Sequence, residues 1–169
     1  MESIFAVVIG AFLAGFGRLC YDSYRFKNER KQVHNAFRGE ISALMSIVDE
    51  RKYVDGLKAN IQNMKQSNNF YFFCVSVKQN YFTVYDTFSC KLSILKGELP
   101  LLIAEFYINS KAILEDFDMY NEYAKTTYTK IDKNNYEAQF KWYIESQENL
   151  IKLFEKQATI ANKIMNYKQ

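Results

Sequence analysis

The sequence predicts an all-α protein in which a single N-terminal transmembrane helix, residues 1–21, leads into a cytoplasmic helical bundle, residues 22–169, with one short extended stretch near 70–77. Three observations carry that expectation. The chain opens on "IFAVVIGAFLAGFGRLCY", which is uncharged from Ser3 to Gly17. Downstream, apolar residues recur at intervals of three and four, the period of a helix with one buried face. Glycine and proline are scarce, with six and one in 169 residues, whereas a sandwich or barrel needs turn residues roughly every 8–12 positions. A hydrophobic content of 49% with 24% charged residues is that of a chain able to build a core.

The first element is defined by length and by charge. Fifteen uncharged residues make a helix about 22 Å long, short of a hydrocarbon core of roughly 30 Å. The span lengthens through Leu19, Cys20 and Tyr21 if Arg18 reaches back to the headgroups, with Tyr21 and Tyr24 as interfacial anchors. A cleaved signal would carry its positive charge before the apolar run, but only Glu2 stands there. The net charge of +3 arises between Arg18 and Arg38, where six basic residues face Asp22 and Glu29, while residues 39–169 balance. That cluster places the following domain in the cytoplasm and the N-terminus outside, as in a single-pass protein of a bacterial inner membrane. A soluble helix buried by the rest of the fold is the competing reading, and it is disfavoured because Ile4 to Phe16 has no polar face.

Within the run, Ala6, Gly10 and Ala14 recur every fourth residue and Gly17 continues their side, with Ala11 and Gly15 forming a second small pair beside them. Small residues at this spacing let helix backbones approach closely in a membrane. Two adjacent small stripes suit a helix packed on both sides, as in a ring of identical subunits. Arg18, Arg25, Lys27, Arg30 and Lys31 would then lie at the mouth of such an assembly or against headgroups.

The next elements follow in order. Val33, Phe37, Ile41, Leu44 and Val48 extend the first helix without a break, and Tyr53, Leu57, Ile61 and Met64 repeat its spacing after "VDERKYVDG". "KQSNN" is a loop. "FYFFCVSV" reads as a strand or as a buried helical segment, and the extended alternative is preferred. Val84, Phe88, Leu92 and Leu95 predict a helix ended by "KGELP". Ile103, Phe106, Ile113, Phe117 and Tyr120 predict another, from Pro100 to about Lys125. After "TTYTKIDKNN", a long helix from about Tyr136 to Asn166 carries Phe140, Tyr143, Leu150, Phe154, Ala158 and Ile164.

Little here points to catalysis. His34 is the only histidine, so Ser–His–Asp or Cys–His chemistry has one position available, and in its charged setting it reads as a polar surface or interhelix residue. Glu115, Asp116 and Asp118 read as a solvated acidic face. Cys20, Cys74 and Cys90 have neither disulfide nor zinc-ligand spacing. No phosphate-binding loop or metalloprotease motif occurs, so the expectation is a protein without catalytic residues, metal or cofactor. Aromatics and lysines in "TTYTKIDKNNYEAQFKWY" have the composition of a single-strand stacking surface, but at helical spacing they read as core and rim, and a nucleic-acid partner is not expected.

The opening segment, the basic stretch "RFKNERKQVH" directly after it and the helical remainder together resemble the small membrane-anchored accessory proteins encoded beside type VI-B CRISPR ribonucleases. The resemblance implies a homo-oligomeric ring that forms a pore and depolarises the inner membrane in antiviral defence. That family carries an Arg–His motif with four to six intervening residues, as in the HEPN nucleases. Here three residues separate Arg30 from His34 and eight separate Arg25 from it, which argues against a nuclease site. The expected partners are other copies of the chain, the bilayer and a cytoplasmic effector protein. The alternative is a tethered adaptor that leaves the membrane intact.

Overall fold

The computed structural model describes residues 2–76, 80–127 and 135–167, with side chains from Phe12 onward. It is all-helical. Helix α1 spans Glu2–Glu50, α2 Tyr53–Ser67, α3 Thr83–Phe88, α4 Leu99–Thr127 and α5 Tyr136–Met165, and a 3-10 turn over Ser89–Ile94 follows α3 directly.

The break between α1 and α2 falls where the sequence left the path open. Lys52 takes a left-handed conformation with φ 50, which a side chain bearing a Cβ adopts at a cost of about 1–2 kcal/mol. Gly56, one turn into α2, is a close-approach glycine: a Cβ there would lie 2.9 Å from the Phe73 ring. Helix α2 ends at Asn68, also left-handed, whose N–H donates to the Met64 carbonyl at 2.9 Å. Asparagine tolerates that conformation better than most residues.

Helices α4 and α5 are the frame on which the others pack, and two cores lie along them. In one, Val33, Phe37 and Ile41 of α1 meet Leu99, Ile103 and Phe106 of α4 and Ile160, Ala161 and Ile164 of α5. In the other, Leu57, Ile61 and Met64 of α2 meet Ile113, Phe117 and Tyr120 of α4 and Tyr143, Leu150 and Phe154 of α5. Between them lies a polar layer. Asn109 Nδ2 donates to the Leu153 carbonyl at 2.9 Å, and Gln157 Nε2 donates to the Ser110 hydroxyl. These pairs fix the register of α4 on α5, because any slip would leave buried polar groups without partners.

The buried seam of α5 runs Tyr143, Gln147, Leu150, Phe154, Gln157, Ala161, Ile164, a strict alternation of fours and threes. The sequence reading placed Ala158 on this seam; Gln157 occupies it instead. A glutamine reads as surface until its partner is known, here Ser110 for Gln157 and Asn60 for Gln147.

One expected element is corrected. The helix expected across Val84 to Leu95 is instead the six-residue α3 followed by the 3-10 turn. Helix α3 is capped from outside: the Glu40 carboxylate on α1 accepts the N–H of Val84 at 2.7 Å and of Tyr85 at 3.2 Å, and also the Tyr107 hydroxyl of α4. Burial and then the Glu40 hydrogen bond push the Tyr107 hydroxyl far above its ordinary pKa of 10.0, so it remains a donor.

The stretch expected to be extended near 70–77 has neither helix nor strand over 70–76, and residues 77–79 lie outside the described residues. Among the described residues no strand pairs with it, and side chains serve its backbone. Asn121 accepts the Val75 N–H at 3.1 Å and donates to the Val75 carbonyl at 2.7 Å, reproducing both bonds of a ladder rung. The Tyr143 hydroxyl accepts from Phe73 N–H at 3.0 Å, and Asn60 donates to the Tyr71 carbonyl at 2.8 Å. Replacing Asn121 by alanine removes both partners of Val75 and is expected to destabilise the fold by about 2–3 kcal/mol. Hydrogen exchange at the Val75 amide should accelerate accordingly, and an unchanged rate would show that the pair does not hold the segment.

Aromatic rings from α4 and α5 gather on this segment. The Phe70 ring lies edge-on to Tyr136 and Phe140, each at 5.3 Å between centroids. The Tyr123 and Tyr143 rings stack at 5.5 Å. Tyr136, Phe140 and Tyr143 are therefore engaged within the fold, in agreement with the core reading of these rings; residues 128–134 of the same stretch lie outside the described residues.

Candidate functional site

Two features of α1 are not explained by packing. The first is its N-terminal part. Every described residue from Phe12 to Asn28 is exposed, and the helix joins the bundle only from Glu29 onward. These seventeen residues make about 25 Å of helix without tertiary support. Large apolar side chains stand open at its start: Phe12 is 75% exposed, Leu13 64%, Phe16 60% and Leu19 70%. Ala14, Gly15 and Gly17 are exposed beside them, and nothing lies within 4 Å of the space a Cβ would take at either glycine. The side chains of Ala6, Gly10 and Ala11 lie outside the described residues. Among the described residues no helix is long and apolar enough to cross a membrane, so the span expected over residues 1–21 does not follow from the structure.

The second feature is a basic cavity where α1 enters the bundle. Lys27, Lys31, His34 and Arg38 recur at steps of four, three and four, which sets them on one face of α1, and Arg30 joins them. Across from them stand Lys96, on the turn before α4, and Tyr167, after α5. The cavity is open to solvent, with a volume of about 740 Å³, and no carboxylate is among its lining residues.

Neighbouring groups set this geometry. Arg30 Nε donates to the Ile94 carbonyl at 2.7 Å, at the end of the 3-10 turn, and its guanidinium lies 4.8 Å from the centre of the Phe26 ring. Glu29, the nearest acid along α1, accepts from Lys91 Nζ at 2.6 Å, and that hydrogen bond holds its carboxyl below the usual range. Gly97 has φ +57, and a Cβ there would fall 2.1 Å from the Tyr167 hydroxyl. Only glycine lets the turn that carries Lys96 pass beneath Tyr167 in this way.

His34 is more deeply placed than its charged setting suggested. It is 6% exposed, and its Nε2 has no hydrogen-bond partner. Burial first, then the Arg38 guanidinium, hold its imidazole below the ordinary value of 6.5. Lys27, Arg30, Lys31, Lys96 and Tyr167 complete its charged and titratable surroundings in the cavity. A depressed folded pKa means that the unfolded chain binds the proton more tightly, so the stability His34 contributes is present above about pH 6.5 and is lost as pH falls through the folded value. His34→Gln is therefore expected to flatten the decline in melting temperature between about pH 7 and 5. An identical decline in both proteins would exclude His34 as its source.

Of the residues expected at a mouth or headgroup layer, the structure brings Lys27, Arg30 and Lys31 together in the cavity and leaves Arg18 and Arg25 on the exposed helix. In the sequence Arg38 reads only as part of the basic cluster and His34 only as a lone polar residue, and the fold brings them into the same cavity. Lys96 and Tyr167 had no sequence signal, since they reach the site only through the fold. No protein-family model, curated protein or solved structure matches this chain.

Proposed function

We propose that this chain is a single-pass membrane protein with its N-terminus outside and its bundle in the cytoplasm, which self-associates through its first helix and permeabilises the bilayer. The observation that supports this most is the free-standing part of α1, with Phe12, Leu13, Phe16 and Leu19 all more than half exposed. Burying four such side chains is favourable by roughly 1.5–3 kcal/mol each, and the bundle of the same chain buries none of them. A bilayer does, and the step into the bundle at Glu29 then falls just beyond Tyr21 and Tyr24 and within the basic cluster, as expected close to a membrane interface. The exposed small residues leave a face on which a second copy can pack closely. Depolarisation of the membrane in antiviral defence is the setting that the resemblance of the layout implies.

The test is leakage of a trapped dye from liposomes of phosphatidylethanolamine and phosphatidylglycerol bearing the full chain. The intact protein is expected to release the dye. Gly10→Leu is expected to abolish both release and the oligomer seen in detergent, while the bundle melts unchanged. Insertion without leakage would instead establish a tethered adaptor, and an unchanged oligomer mass in the variant would exclude assembly through the small-residue face.

A further inference from the structure

We infer that the basic cavity at the base of α1 is a binding site for a diphosphate or triphosphate group carried on an organic body, supplied either by a nucleotide or by a phosphorylated membrane lipid. The inference stands apart from the membrane reading, since the cavity is built by α1, the turn before α4 and the end of α5.

Lys27, Arg30, Lys31, Arg38 and Lys96 set five cations around one volume, with no carboxylate among the lining residues. Elsewhere the described surface mixes signs, as in Lys58–Glu155, Lys65–Glu148 and Lys156–Glu105. Glu29, the acid best placed to relieve the cluster, is engaged by Lys91 at 2.6 Å. Five unrelieved cations repel one another, and the arrangement is favourable once a multiply charged anion sits among them.

His34 lines the same cavity, is 6% exposed, and has an Nε2 without a partner. Buried polar atoms are nearly always paired, and a bound anion or its organic body supplies what the protein leaves out. About 740 Å³ falls in the range of small-molecule sites, about 300–1,000 Å³, and is far larger than a single phosphate needs. Arg30 is already held in place by the Ile94 carbonyl and the Phe26 ring, so it need not be ordered on binding. The Tyr167 ring at the rim offers a surface for an apolar or aromatic body.

The experiment titrates the full chain in detergent micelles with ADP, ATP and farnesyl diphosphate, reading heat of binding and melting temperature. Saturable binding of at least one of them is expected. Binding of ATP or ADP identifies a soluble phosphate as the source, and binding of farnesyl diphosphate alone identifies a lipid; either supports the site. Arg38→Gln/Lys96→Gln is expected to weaken binding tenfold or more while melting no lower than the parent without ligand, because it relieves repulsion. Should that variant fail to fold, Lys96→Gln alone, at an exposed position, is expected to weaken binding severalfold. Lys58→Gln on α2 is expected to bind as the parent does. No binding of any of the three probes, or equal binding by the parent and the cavity variants, overturns the inference.

Discussion

Glu40→Ala is expected to lower the stability of the bundle by about 3–5 kcal/mol, the largest effect of any single substitution proposed for this fold. One carboxylate accepts the N–H groups of Val84 and Tyr85 and the hydroxyl of Tyr107. It thereby ties α1 to the start of α3 and to the middle of α4. The Tyr107 ring it anchors is buried and stacks on Tyr85 at 4.2 Å. Removing the acceptor leaves three donors unpaired at once, and each such donor costs about 1–3 kcal/mol where water cannot reach it. Glu40→Gln keeps one acceptor oxygen and is expected to cost about 1–2 kcal/mol. Tyr107→Phe removes only one donor, and its effect should be smaller again. Urea denaturation of the three variants provides the check. A midpoint for Glu40→Ala within error of the parent would mean that α3 is not held by this carboxylate.

Leu13→Arg/Phe16→Arg is expected to shift the protein out of the membrane fraction by more than tenfold, with no change in the melting of the bundle. Both side chains stand on the free part of α1, 64% and 60% exposed, so the substitution removes no contact within the chain. In a bilayer, each arginine near the middle of a span costs about 2.5–3.5 kcal/mol on insertion scales, beyond the loss of the apolar side chain. Alkaline extraction of membranes from cells expressing the two proteins reads this directly. Equal retention of parent and variant would show that this part of α1 does not lie in the hydrocarbon, and the membrane reading would fall with it.

Legibility in the sequence followed the range of the interactions concerned. The helix expected from Tyr136 to Asn166 is found over Tyr136–Met165, and the one expected from Pro100 to Lys125 over Leu99–Thr127. Both carry long, regular runs of apolar residues, and such a run dictates a helix wherever it is placed. Helix α3 and the 70–76 segment escaped this reasoning because each is shaped by a distant side chain. Glu40 ends the freedom of one and Asn121 that of the other, across 44 and 46 positions of chain. Gln147 and Gln157 escaped it as well, since hydropathy assigns glutamine to the surface and only a facing Asn60 or Ser110 makes it a seam residue.

The helical class, the place of the long helices, and an apolar, glycine-containing N-terminus followed by the whole basic excess of the chain are written in consecutive residues. They are set by local periodicity and by the free energy of moving each side chain out of water. The fold alone leaves α1 clear of the bundle from Phe12 to Asn28, divides two cores by a polar layer, and brings Lys96 and Tyr167 to the same open cavity as His34 and Arg38. Those outcomes depend on which surfaces meet when the chain folds back on itself. Glu40, Asn121 and Lys96 therefore acquire their roles from partners that are distant in sequence and adjacent only in the folded bundle.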